Sequence, residues 1–192
     1  DFNVEESTFE NSYDNWLPSV TLSRKIGKTS NVKASYSRRI QRPSLRVINP
    51  YVQFNNNRSV SFGNPELSPE LTDQYEVSYG TFVKAFSINA SFFYRITTGI
   101  IESFLAINTE GVASTTFRNI GENQSYGVNL FSSVNLFKVM TLRGGVNVFT
   151  YNGQGEVNGE LLSRDAIVWN GNLNASLKLK KDWTIDVFGF YR

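Results

Sequence analysis

The sequence predicts an all-β fold built from long antiparallel strands. Runs in which apolar and polar residues alternate cover nearly the whole 192-residue chain, and a period of two places successive side chains on opposite faces of a strand. Between these runs we find no convincing 3.6-residue period of an amphipathic helix. Phe and Tyr lead an aromatic content of 14%, and aromatic residues are enriched in strands. The length suits one ordinary domain.

About eight segments carry the alternation, and we predict that they form meandering antiparallel strands. In the fourth segment, Phe86 and Ile88 fall on one face, whereas Ser87 and Asn89 fall on the other. The polar face of all the segments is rich in Asn and Ser. The predicted strands are residues 19–26, 31–40, 74–82, 86–96, 126–137, 140–151, 166–179 and 183–192.

Alternation alone does not show which face points inward. A soluble sandwich or small barrel buries its apolar face, whereas a membrane barrel turns that face outward to lipid. The mean hydropathy of −0.28 is low for a chain so rich in aromatic residues. No apolar run approaches the ~18 residues of a transmembrane helix, but a membrane-spanning β-strand needs only ~9–11 residues of alternating pattern.

The connections favour the membrane barrel. Four short turns, at 25–29, 83–86, 136–139 and 179–183, each carry Lys. Three long connections rich in Asn, Gly, Ser and Pro lie between them, at 38–72, 99–124 and 152–165. Strict alternation of short turns with long loops is typical of an outer-membrane barrel, with periplasmic turns and extracellular loops. We therefore predict antiparallel transmembrane β-barrel strands in contact with outer-membrane lipid.

Aromatic residues near the strand ends fit the girdles of such a barrel at the membrane surface, although aromatic core residues would show a similar pattern. These residues are Trp16, Tyr36, Tyr75, Tyr94, Trp169 and Trp183.

Composition excludes several kinds of chemistry. The chain contains no His and no Cys, so nucleophile pairs with a His base and zinc sites with His or thiolate ligands are absent. No carboxylate pair is placed across a cleft by its spacing, and we predict neither enzymatic activity nor a cofactor nor a metal site. A formal net charge of +2 does not indicate a nucleic-acid partner.

The second predicted strand ends in a basic, proline-marked segment, "SYSRRIQRPSLRVINPY", over residues 35–51. Pro43 and Pro50 remove backbone donors where strand pairing should end. Arg39 falls in the polar phase, whereas Arg38 falls in the apolar phase near the strand end, where its side chain can reach water. One interpretation is a salt-bridged loop stem that fixes the register. The acidic residues available for such pairs are Glu66, Glu70, Asp73 and Glu76.

The stretch "GNPELSPE" (63–70), followed by a strand, resembles an element that recurs in the barrels of TonB-dependent outer-membrane receptors. The run "YSRRIQRPS…NPY…GNPELSPELTDQYEVSYG" is similar to the outer-membrane β-barrel family related to those receptors, as is the later "FRNIGENQSYGVNLFSS", in which a loop returns through N-x-G into a strand. The resemblance extends from about Leu17 to Arg192. The motif positions are Arg38, Arg39, Arg42, Pro43, Asn49, Pro50, Gly63, Asn64, Pro65, Pro69 and Glu70.

The resemblance implies a barrel of about 22 strands whose lumen is closed by an N-terminal plug domain. Residues 1–192 would then be a segment of one barrel domain, with the plug domain and the final strands outside this sequence. It also implies localisation in the cell outer membrane of a Gram-negative bacterium as a multi-pass barrel. The implied function is capture of an unknown small ligand and its energised import, with the plug domain and a TonB-type energy-coupling system as partners.

On that basis, a second interpretation of the arginines is contact with an anionic ligand or with the plug, since Arg suits bidentate contacts with carboxylate and phosphate. The candidate contact residues are Arg39, Arg42, Arg46, Glu76, Arg95 and Arg143. Two other functions stay open at this stage. One is a stand-alone barrel of about eight strands with a structural or adhesive role, and the other is a soluble all-β binding module.

Overall fold

The computed structural model describes residues 12–109, 111–137, 139–157, 160–180 and 183–192, and almost all of its regular structure is β-strand. The strands are β1 (Ser19–Ile26), β2 (Ser30–Gln41), β3 (Gln53–Asn56), β4 (Ser59–Ser61), β5 (Glu70–Val83), β6 (Phe86–Ile107), β7 (Ala113–Leu136), β8 (Met140–Val157), β9 (Glu160–Lys178) and β10 (Thr184–Tyr191), with one short helix, α1 (Leu45–Ile48). In the described part of the chain, no helix is long and apolar enough to cross a membrane.

Eight of the strands form a continuous antiparallel meander in the order β1-β2-β5-β6-β7-β8-β9-β10, which confirms the predicted all-β class and strand number. β3 and β4 form a small hairpin off this path, and β4 also pairs in parallel with β7. Within the described residues, β1 pairs only with β2 and β10 only with β9. The sheet is therefore an open wall, as in part of a barrel.

The predicted long loops over 99–124 and 152–165 were wrong in detail, because the strands continue through most of both regions. β6 runs to Ile107 and β7 starts at Ala113, and the pairing of β8 with β9 extends to Val157 and Glu160. The Asn- and Gly-rich composition suggested loops, but pairing between neighbouring strands satisfies the backbone and outweighs weak intrinsic strand propensity. The first of these hairpins contains a bulge near Gly99, which has a φ of 68°.

The connection predicted over 38–72 does leave the sheet. β2 ends at Gln41, two residues before Pro43, and β5 begins at Glu70, directly after Pro69. Between them lie α1 and the β3–β4 hairpin. Pro43 thus stands where the sequence predicted that pairing would end, whereas Pro50 lies between α1 and β3.

The apolar face of the meander is exposed. One row across the sheet shows this: Leu22 on β1 is 71% exposed, Val77 on β5 is 54% exposed and Trp169 on β9 is 51% exposed. Only Leu67 and Phe93 are buried apolar residues among those described, and neither belongs to this face. No described part of the chain covers the apolar face as a second layer would cover it in a soluble sandwich.

Tyrosines line one edge of the exposed face. Cross-strand pairing places Tyr36, Tyr75, Tyr94 and Tyr126 in one row across β2, β5, β6 and β7. The ring centroids of Tyr36 and Tyr75 are 4.9 Å apart, and those of Tyr75 and Tyr94 are 6.5 Å apart. This alignment is that of an aromatic girdle at one membrane surface. We call the end of the sheet beyond this row the loop end, and the opposite end the turn end.

We predict that an arginine on the apolar face destabilises the wall, whereas an arginine one residue further along does not. Val77→Arg would place a charge among lipid tails one row inside the tyrosines and lower the free energy of unfolding by about 1–2 kcal/mol, between the values for the interface and for the midplane. Ser78→Arg, on the polar face, is the matched control and should cost well under half of that. Urea unfolding of the full-length protein in lipid vesicles measures both, and equal losses for the two variants would refute the assignment of the faces.

Candidate functional site

On the polar face, Glu76 and Arg95 are linked through Gln74. Arg95 Nη2 donates to Gln74 Oε1 at 3.2 Å, and Gln74 Nε2 donates to Glu76 Oε2 at 3.2 Å. The Arg95 guanidinium also lies 5.2 Å from the ring centroid of Phe93, a residue that is only 4% exposed. Two predicted site residues are therefore brought together, but they do not form a direct ion pair.

The other candidate contact residues are dispersed. Arg39 lies opposite Thr72 on the same polar face. Arg143 is opposite Ser133 on β7, whereas Arg95 is opposite Ser125. Their rows are therefore eight positions apart along β7 (133 − 125), which is roughly 26 Å at about 3.3 Å per residue. Arg143 therefore belongs to the turn end and does not share a site with Arg95.

Arg42 follows β2, and Arg46 lies on α1. The described residues contain no ion pair that involves Arg39, Arg42 or Arg46. Their contact with a ligand or with a plug domain stays a prediction.

Arg38 pairs directly with Asp73 across β2 and β5. Its Nε and Nη2 atoms donate to the two carboxylate oxygens at 2.8 Å each, and the Tyr36 hydroxyl donates to Asp73 Oδ1 at 2.6 Å. This bidentate contact confirms the salt-bridged loop stem for that pair. It is the one ion pair among the described residues, so the expected pairing of arginines with Glu66, Glu70 and Glu76 was wrong for the part of the chain described.

Residues 42–69, here called the latch segment, leave the sheet after β2 and rejoin it at β5. The motif "GNPELSPE" forms the part that rejoins the sheet. Gly63 N donates to Asn49 O at 2.8 Å, and Asn64 N donates to Val47 O at 2.7 Å. A Cβ atom on Gly63 would lie 2.5 Å from Asn49 O and 2.7 Å from Val47 O, both backbone atoms. Glycine is required there because the two backbone segments approach too closely for any side chain.

The side chain of Asn64 joins the latch segment to β7. Its Nδ2 donates to Phe117 O at 3.0 Å, and its Oδ1 accepts from Glu66 N at 3.0 Å. Phe62 N donates to Thr115 O at 3.0 Å, which prolongs the parallel pairing of β4 with β7.

Asn119 fixes the other end of the latch segment. Its Oδ1 accepts from Ser68 N at 2.9 Å, and its Nδ2 donates to Ser68 O at 2.8 Å and to Gly99 O at 2.7 Å. Nearby, Glu70 Oε1 accepts from Ile101 N at 3.0 Å. Leu67, inside the latch segment, is 1% exposed. The motif thus anchors the segment across β6 and β7, a role that composition did not reveal.

Sequence reasoning did not predict the role of Asn119, although a signal existed. Asn119 and Gly121 are the two fixed positions of the N-x-G pattern in "FRNIGENQSYG". The pattern predicts a loop that returns to a strand, whereas both residues already lie within β7. What the sequence does not show is that Asn119 reaches across β6 to a residue 51 positions away.

A cavity of about 940 Å³ opens between the latch segment and β7. Pro50, Phe62 and Ile120 supply apolar walls, and Glu66 and Arg118 supply charge. The Arg118 guanidinium lies 4.0 Å from the ring centroid of Phe104, a cation–π contact. Asn64, Thr116 and Asn119 also line the cavity, so half of its ten lining residues are polar or charged. Its volume is in the range of small-molecule sites.

Comparison with known proteins assigns the chain. The outer membrane protein beta-barrel family matches residues 1–192. The chain belongs to this family. Its exposed apolar face is accordingly the lipid-facing side of a barrel wall, and its polar face lines the lumen. No curated protein sequence matches the chain.

Solved structures share this fold. The siderophore receptor PirA from Pseudomonas aeruginosa matches with a TM-score of 0.61 and 14% identity, over 93% of this chain and 42% of the receptor. A mutant of the ferric enterobactin receptor PfeA from the same organism matches with a TM-score of 0.60 and 13% identity, over 91% of this chain and 34% of that one. The copper transporter OprC matches with a TM-score of 0.52 and 12% identity, over 90% and 33%. The chain spans well under half the length of each.

We predict that Gly63→Ala releases the latch segment without unfolding the wall. The added methyl group would collide with the backbone of Asn49 and Val47, so protease cleavage within residues 42–69 should rise several-fold. Gly189→Ala is the matched control, because a Cβ there meets nothing within 4 Å. Limited proteolysis of the full-length protein measures both, and unchanged cleavage of the Gly63 variant would show that the segment tolerates the collision.

We also predict that the Arg38–Asp73 pair contributes about 0.5–1 kcal/mol, since the two side chains are 38% and 21% exposed and partly exposed pairs are weak. A double-mutant cycle with Arg38→Gln and Asp73→Asn in urea unfolding isolates that coupling. A coupling energy near zero would mean that the pair does not fix the register.

Proposed function

We propose that this chain forms part of the wall of an outer-membrane receptor that captures a small ligand and imports it. The observation that carries the proposal is the cavity held by the latch segment at the loop end of a wall whose fold matches receptor barrels. The complete barrel has about 22 strands, crosses the outer membrane of a Gram-negative bacterium many times, and encloses a plug domain coupled to a TonB-type system. This segment has no enzymatic activity.

Two features of the wall support ligand handling. The Arg118 guanidinium is held over Phe104 and has no acidic side chain within ion-pair distance among the described residues, so it is available to an anionic group of a ligand. Further down the polar face, Arg95 is steadied by Gln74 and Phe93, so it offers a positioned cation to the plug or to a passing ligand.

A small closed barrel with a structural or adhesive role is less well supported. Closure of eight strands would require β1 to pair with β10, and in the described part of the chain they do not pair. A soluble module would have to cover the exposed apolar face.

Uptake by cells that carry the full-length protein tests the proposal. The first probes are ferric enterobactin and a copper salt, because one structural neighbour is a ferric enterobactin receptor and another is a copper transporter. Glycans, peptides and a vitamin follow. We expect saturable binding of at least one probe, and accumulation that a protonophore abolishes while binding persists. Arg118→Gln should weaken binding of an anionic probe about tenfold, whereas Arg58→Gln, on the outer β3–β4 hairpin, should not.

Binding without energised accumulation would refute the import role and leave capture alone. Absence of binding for the whole panel would refute both.

A further inference from the structure

Cations collect at the turn end of the sheet. Because neighbouring strands run antiparallel, the four short turns of the meander lie at the same end. Their described cationic side chains are all exposed: Arg24, Lys25, Lys28, Lys84, Lys178 and Lys180. No acidic residue occurs among the described residues of these turns, over 24–30, 82–87, 136–141 and 177–180. The turn end therefore carries a band of positive charge that no partner within the described chain neutralises.

Large apolar side chains are exposed beside this positive band. Phe137 is 89% exposed, Trp183 is 71% exposed and Phe86 is 40% exposed. Aromatic rings next to cationic side chains suit the boundary between hydrocarbon and lipid headgroups, where one end of a side chain is apolar and the other is wet.

Two of the turns place non-glycine residues at a positive φ. The β1–β2 turn uses Gly27 at a φ of 66°, the residue that adopts this region at no steric cost. The corresponding turns at Lys84 and Phe137 have φ values of 53° and 50°. Non-glycine residues rarely adopt this conformation, so these turns carry a charge and an aromatic ring at positions that glycine would occupy at lower steric cost.

The opposite edge of the lipid-facing side has the reverse charge. Beyond the tyrosine row, Glu122 pairs with Thr98 and Asp165 pairs with Asn152 on that face, while Asp73 is neutralised by Arg38. The two edges of the apolar band thus present different electrostatics to the two leaflets.

We propose that the turn end binds the headgroups of anionic phospholipids in the leaflet that surrounds it. The positive band attracts a negatively charged surface, and Phe137 and Trp183 enter the hydrocarbon boundary beside it. This inference rests on the barrel wall and is independent of ligand import.

Quenching of Trp183 fluorescence by brominated lipids tests the proposal in the full-length protein. The Trp183 signal is the difference between the wild type and Trp183→Phe. In phosphatidylcholine vesicles that contain brominated phosphatidylglycerol or brominated phosphatidylcholine at equal fractions, we expect an association constant at Trp183 at least about fivefold higher for phosphatidylglycerol. High salt should reduce this ratio by screening.

The decisive variant is Lys178→Gln with Lys180→Gln. Both side chains are exposed and belong to the same turn as Trp183, so the unfolding midpoint should be maintained while the lipid ratio falls about fivefold, to near one. The control, Arg58→Gln with Arg164→Gln, removes the same number of positive charges at the loop end and should leave the lipid ratio unchanged. A wild-type ratio near one, an unchanged ratio in the lysine variant, or an equal fall in the control would each overturn the proposal.

Discussion

The rest of the structure depends on one constraint: every long strand must keep its apolar phase on the same side of a sheet whose backbone is paired strand to strand. In lipid, an unpaired N–H or C=O group is costly, so a spanning sheet is stable only while its register is maintained across all strands. The register places Ala34, Val77, Phe92 and Val128 in one row. A slip of one residue in any strand would turn its polar phase toward lipid.

The same constraint explains why the latch segment is built as it is. The pairing of β7 with β8 covers β7 only from Gly121 onward. The earlier part of β7 therefore has an edge that β8 leaves open, and an open edge presents unpaired backbone groups. β4 and the Asn64 side chain occupy that edge. Asn119 then closes the return path to β5. The latch segment thus covers this edge of β7 and also bounds the cavity.

Much of the fold could be predicted from the sequence because alternation is a local property. The eight strands, the short lysine turns and the apolar phase of Tyr36, Tyr75 and Tyr94 follow from spacing along the chain. The alignment of these tyrosines depends on the register between strands. The extended hairpins over 99–124 and 152–165 could not be predicted, because pairing overrides the loop-like composition of each strand. The site was harder still. Asn64, Phe117 and Asn119 meet only through tertiary contacts, and the Arg38–Asp73 pair depends on the β2–β5 register.

The most direct test of the account concerns which side of the wall lies against lipid. Single nitroxide labels would be placed at Val128 and at Asn129, adjacent residues of β7 with opposite faces, in the full-length protein in vesicles. Collision with oxygen, which dissolves in lipid, should dominate for the label at 128, whereas collision with a water-soluble nickel complex should dominate for the label at 129. A reversed preference, or equal access of the water-soluble reagent to both labels, would contradict a lipid-facing apolar surface.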